Sequence, residues 1–124
     1  MLFKFLLVGC GGFLGAMLRY AVSVWLNSEP GHFPWGTLTV NLAGCLAMGI
    51  LLGLGVHRNL ETQWLLLGVG VLGALTTYSA FSGETVQLWM DRHAGLALAN
   101  VLANLAGSLL ACGAGYGLVQ GVSG

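Results

Sequence analysis

The stretch from Gly73 to Phe81, "GALTTYSAF", sits in the middle of an apolar run that begins at Trp64 and continues toward Met90. The run reads as a membrane helix, yet here it carries a glycine, two threonines, a tyrosine and a serine. A straight helix over residues 63–90 would be roughly 42 Å long at 1.5 Å per residue, more than the roughly 30 Å of a hydrocarbon core. Tilt absorbs part of that excess, and a break near Gly73 to Tyr78 would absorb it too. A glycine beside two β-branched threonines is a plausible place for one. A break frees backbone carbonyls. At membrane depth these survive only where protein, water or a cation satisfies them, and unwound segments of membrane helices coordinate sodium in this way.

The rest of the chain sets this stretch in an all-α membrane protein. Of its 124 residues, 56% are hydrophobic and 6% charged, a balance that a soluble domain of this size could not keep monomeric in water. Four apolar segments near residues 3–26, 36–56, 63–90 and 95–120 form a single four-helix transmembrane domain, separated by short polar breaks. The first connection, "NSEPGHFPW", holds both prolines, "HRNLET" is charged, and "DRHA" is barely a turn. The first segment runs past the length of a secretion-signal core and has Arg19 inside it, so it is read as a retained span.

Four spans put both termini on one side. Lys4 and Arg58 then lie toward that side and Arg19 and Arg92 toward the other. Orientation follows the excess of Lys and Arg in cytoplasmic loops, and here there is none. Such a chain can insert both ways, and two copies of opposite orientation can pair as an antiparallel homodimer. Four basic against four acidic residues also give no electrostatic footprint for a nucleic acid.

Small residues four apart, Gly11 with Gly15, Gly12 with Ala16 and Gly49 with Gly53, are read as close helix contacts. Polar residues inside spans carry more information, because lipid rejects them unless they line a pathway or find a buried partner. Thr37 and Asn41 share one face of span two. Asn100, Asn104, Ser108 and Cys112 recur at every fourth residue of span four. Hydrogen bonding between helices accounts for any one of them, and four in register favour a water- or ion-accessible track. Arg19 and Glu84 are the ionisable groups closest to a span interior. Each can sit at the interface, or serve as an electropositive attractor and an orienting partner respectively.

Tyr78 and Phe81 are three apart and share a helical face, where positive ring edges can meet a small anion. The hydroxyls of Thr76, Thr77, Ser79 and Ser82 can replace part of a hydration shell. The three cysteines are read as packing residues, and His32, His57 and His93 as solvated loop residues without metal-ligand spacing. No nucleophile elbow, phosphate loop or paired intramembrane carboxylate is present, so no enzymatic activity is expected.

"GGFLGAMLRY" (Gly11–Tyr20), "GTLTVNLAGC" (Gly36–Cys45) and "GALTTYSAFSGE" (Gly73–Glu84) resemble, in order and spacing, three segments of the CrcB/Fluc fluoride channel family. "NLAGS" (Asn104–Ser108) resembles the fourth. The resemblance implies a dual-topology antiparallel homodimer in a prokaryotic plasma (inner) membrane, with two fluoride pores that relieve fluoride toxicity by passive export. It also implies one structural sodium ion at the dimer centre, held by the backbone carbonyls of Gly73 and Thr76 of each subunit. Tyr78 and Phe81 correspond to the two pore aromatics, Asn41 to the pore asparagine, Arg19 to the vestibule arginine and Glu84 to the glutamate one turn past the break. Thr77 and Ser79 stand beside the aromatics. Asn104 supports, and Ser108 and Cys112 continue, the polar track. Three positions depart from the pattern: Tyr78 stands where phenylalanine is usual, Ala80 where threonine is, and Cys112 where a hydroxyl is. A small multidrug or guanidinium exporter shares the architecture but needs a carboxylate in its first span, where this chain has Arg19 and no acid. A third reading is a structural subunit that transports nothing, in which the polar stripe only joins helices.

Overall fold

A computed structural model describes residues 1–26 and 29–123, so the start of the first connection, at Asn27 and Ser28, lies outside the described residues. The described residues are helical almost throughout: α1 (Leu2–Leu26), α2 (Trp35–Gly53), the short α3 (Val56–Asn59) and α4 (Glu61–Gln63), a π-helix (Trp64–Leu72), α5 (Gly73–Leu75), α6 (Tyr78–Met90) and α7 (Ala94–Ser123). Four stretches are long and apolar enough to cross a membrane: Leu2–Leu26, Trp35–Gly53, Glu61–Met90 and Ala94–Ser123. The second ends at Gly53, short of the expected residue 56, because Gly55 turns the chain with a positive φ of 68° into α3. That conformation suits glycine.

The helices pack chiefly as two pairs, α1 against the π-helix and α2 against α7. Glycine makes both contacts. A Cβ on Gly11 would stand 2.3 Å from the Leu66 carbonyl oxygen, and one on Gly15 would stand 2.2 Å from that of Val71. In the second pair, a Cβ on Gly49 would stand 2.0 Å from the Cys112 carbonyl oxygen, and one on Gly115 would stand 2.2 Å from that of Leu46. Backbone therefore rests on backbone, which supplies dispersion contact where lipid removes the hydrophobic drive. Gly12 stays clear, with Ala74 4.0 Å away, so Gly11–Gly15 and not Gly12–Ala16 is the close register.

The Lys4 ammonium pairs with Glu61, joining the N-terminus to the second connection at one end of the bundle. Nearby His57 is half-buried on α3. Arg58 Nε donates to its Nε2 (3.1 Å), and its ring stands edge-on to Trp64. At the other end Arg92 takes a φ of 63°, and the His93 and Arg92 N–H groups donate back to the Leu88 and Trp89 carbonyls, which closes α6.

The third span breaks at Thr76 and Thr77, whose backbones are extended (φ −75°, ψ 151° and φ −148°, ψ 118°). Gly73 itself stays helical. Excess length is not the cause, since α7 has 30 residues, the same as Glu61–Met90, and runs unbroken. The cause is local and tertiary: the backbone of Thr77 finds partners outside its own helix. The π-helix before the break, where each N–H reaches back five residues, was not foreseen.

Candidate functional site: a polar groove at the helix break

Asn41 on α2 holds the break open. Its Oδ1 accepts from the Thr77 N–H (2.7 Å) and its Nδ2 donates to the Thr77 carbonyl (3.2 Å), so the side-chain amide pairs with the backbone as a neighbouring strand would. The Thr77 hydroxyl oxygen caps α6 by accepting from the Ala80 N–H (3.2 Å). Thr76 bends its own hydroxyl back to the Leu72 carbonyl (3.0 Å).

These bonds redirect two particular N–H groups. In an unbroken helix the Gly73 carbonyl would accept from Thr77 and the Thr76 carbonyl from Ala80. Both donors are instead taken up by side chains, those of Asn41 and Thr77. The carbonyls of Gly73 and Thr76 are thereby deprived of their helical partners, and Gly73 is exposed on the surface of the bundle. Between them, the Ala74 carbonyl accepts from Arg19 Nε (3.1 Å), so a cation from α1 stands at the C-terminal end of α5, where the helix dipole favours it. Among the described residues there is no group of three or more His, Cys, Asp or Glu side chains that could hold a metal.

Beside the break lies a groove of about 330 Å³ between α2, α6 and α7. Asn41, Cys45, Thr76, Thr77, Tyr78, Phe81, Asn104, Leu105, Ser108 and Leu109 line it. Phe81 is buried at 6% exposure, whereas Tyr78 is 73% exposed and stands edge-on to it with ring centroids 5.4 Å apart. Ser108 adds a hydroxyl that bonds to no other described residue. The surface is therefore mixed: aromatic rings, hydroxyls and side-chain amides, set among leucines.

Seven residues singled out in the sequence meet here: Asn41, Thr76, Thr77, Tyr78, Phe81, Asn104 and Ser108. The others, Gly73, Thr37, Ser82 and Asn100 among them, stand outside the groove. Ser79 is exposed with its hydroxyl 3.3 Å from that of Thr77, and Cys112 lies one turn beyond Ser108. Arg19 reaches the Ala74 carbonyl, and Glu84 accepts from the Thr37 hydroxyl (2.6 Å). Cys45 was missed as a lining residue. It follows Asn41 by four residues on α2, a spacing that could have marked it.

The chain matches the family model described as CrcB-like protein, Camphor Resistance (CrcB), over residues 6–116. It is 44% identical over 114 residues to a Haloarcula marismortui protein named fluoride-specific ion channel FluC 2, covering 92% of each chain. It is also 44% identical over 116 residues to a Pseudomonas putida protein and 42% identical over 118 residues to a Sulfurimonas denitrificans protein, both named fluoride-specific ion channel FluC. These alignments cover 91% and 93% of this chain and 94% and 92% of the relatives. With four membrane-length helices and this extent of similarity, the chain is a multi-pass membrane protein that belongs to the CrcB family.

Proposed function

We propose that this chain is a fluoride-selective channel, by which fluoride leaves the cell passively, and that it works as an antiparallel homodimer in the plasma membrane of a prokaryote. One observation carries the reading: the groove at the break joins the Tyr78 and Phe81 ring edges to the uncommitted Ser108 hydroxyl, with no fixed cation in its lining. A small, strongly hydrated anion needs donors to replace water. A full positive charge in the groove would bind it too tightly to let it pass. Ring edges and hydroxyls offer partial positive charge only. The names of the relatives point the same way.

The groove opens to the surface of the bundle, and the exposed Tyr78 in its lining would be covered by a second copy. In that arrangement each copy closes the other's groove, giving two pores. The carbonyls of Gly73 and Thr76, deprived of their helical partners by the break, would come together from both copies as four neutral oxygens. Such a set suits a sodium ion, which would pin the two breaks together as a structural element. Arg19, Glu84, Ser79 and Cys112 would act at the approaches to the pore. The exporter reading finds no support, because α1 carries no carboxylate.

The test is efflux of fluoride and of chloride from liposomes containing the purified dimer, with potassium and valinomycin present to dissipate the voltage. Rapid fluoride loss without chloride loss is expected. Verified dimer that passes no fluoride would sink the proposal.

A further inference from the structure

Two side chains outside the groove, Asn100 and Thr85, complete a hydrogen-bonded chain that both starts and ends on the broken span. It runs from the Thr77 N–H to Asn41 Oδ1 (2.7 Å), from Asn41 Nδ2 to Asn104 Oδ1 (2.8 Å), and from Asn104 Nδ2 to Asn100 Oδ1 (2.9 Å). From there it passes from Asn100 Nδ2 to Thr85 Oγ1 (2.9 Å) and from the Thr85 hydroxyl to the Phe81 carbonyl (2.7 Å). Three helices contribute: α2 gives Asn41, α7 gives Asn100 and Asn104, and α6 gives Thr85.

The ends of this chain dictate its direction. A backbone N–H can only donate and a carbonyl can only accept, so each group between them must accept on one side and donate on the other. Reversing a single amide would set donor against donor at one contact and acceptor against acceptor at the next. Asn41, Asn100 and Asn104 are 8%, 0% and 4% exposed, so solvent is not there to repair such a mismatch. The Thr85 bond to Phe81 is, taken alone, the ordinary back-bond of a helical threonine. What is not ordinary is that the same oxygen accepts from a fully buried asparagine of another helix.

We propose that Asn100 and Thr85 are positioning residues: they fix which way the Asn41 amide faces, and so hold the Thr77 break and the Phe81 turn in one register. Neither lines the groove. Their effect on the channel rests on the function proposed above, whereas their effect on Asn41 does not.

The test uses the dimer in lipid nanodiscs, with asparagine side-chain amides and the Thr77 backbone amide followed by NMR. Thr85→Val keeps the shape and removes the hydroxyl. It should shift the amide resonances of Asn100, Asn104 and Asn41 and that of Thr77, and lower fluoride efflux about tenfold, the weight of one buried hydrogen bond. Thr85→Ser restores the hydroxyl, so the four resonances should return to their wild-type positions and efflux should recover. Thr85→Ala, which places no methyl group against Asn100, should reproduce the pattern of valine even where valine disturbs packing. Shifts confined to Asn100, with Asn41 and Thr77 unmoved in both variants, would overturn the proposal and leave Asn100 as local glue. Wild-type protein that passes no fluoride but shows the full pattern of shifts would overturn the channel reading alone.

Discussion

Asn41 occupies the place of a missing peptide group, since one amide satisfies both the N–H and the carbonyl of Thr77 and still donates to Asn104. That role follows from tertiary geometry. The polarity of Asn41 and its position in a span were legible in the sequence, but the identity of its partners, on two other spans, was not. Asn41→Leu leaves the Thr77 N–H and Asn104 Oδ1 without it, a loss on the order of 3 kcal/mol, and the expected result is a markedly less stable protein in thermal unfolding. Asn41→Asp keeps an acceptor for Thr77 but turns a second oxygen toward two other acceptors and adds negative charge in the groove. Fluoride efflux should fall to background even where the variant still elutes as folded protein; wild-type flux in this variant would remove Asn41 from the proposed anion path. Tyr78 presents the opposite case, an aromatic that is mostly exposed and whose hydroxyl bonds to no other described residue. Tyr78→Phe should keep both rate and selectivity. Tyr78→Leu, which removes the ring edge, should slow efflux about tenfold, at the upper end of what an aromatic pair contributes. Equal rates for the two would show that the ring is not on the path.

The helices themselves were readable because an apolar stretch of membrane length leaves few alternatives. The break was located correctly to within the interval Gly73–Tyr78, but for an insufficient reason: α7 is as long as the third span and does not break. Two β-branched threonines with an asparagine within reach make the difference, and only the folded chain brings that asparagine to them. The π-helix at Trp64–Leu72 has a comparable origin. It carries Gly68 and Gly70, and a Cβ on Gly70 would stand 2.9 Å from the Gly11 Cα, so its course is matched to the face of α1. This match yields a sharp contrast within one helix. Gly15→Ala must push its new methyl group into the Val71 carbonyl, one turn before the break, whereas Gly12→Ala makes only an ordinary contact with Ala74 at 4.0 Å. Overpacking at the first site should cost about 1–3 kcal/mol and disturb the register of α5. The second substitution should be neutral or slightly stabilising, since alanine is the better helix former. Unfolding of the two variants in the same detergent, scored by loss of the folded-protein peak on size exclusion, checks the difference; equal stability would mean that α1 and the π-helix separate freely.

At the scale of the whole molecule, the balance of charge at the two ends of the bundle bears on how many copies make a site. The Lys4–Glu61 pair ties α1 to α4, next in the chain to the α3 that carries Arg58, while Arg19 and Arg92 are counted toward the other end. The basic residues stand two against two, so the count leaves nothing to bias insertion. If the two orientations are populated equally and only opposed copies complete the groove, biasing the chain must destroy its own activity. Replacing Asn59 and Gln63 with lysine adds two positive charges near one end without touching a groove residue. Cysteine-accessibility labelling should then report a single orientation, and membranes holding this variant alone should show no fluoride efflux. A second variant with lysines at Glu29 and Gln87, near the opposite end, should be equally silent alone, and co-expression of the two should restore efflux through mixed dimers. Full activity of either singly oriented variant would mean that parallel copies, or one copy, suffice. Restoration only on mixing would tie the groove, the exposed Tyr78 and the paired carbonyls of Gly73 and Thr76 to one assembly of opposed chains.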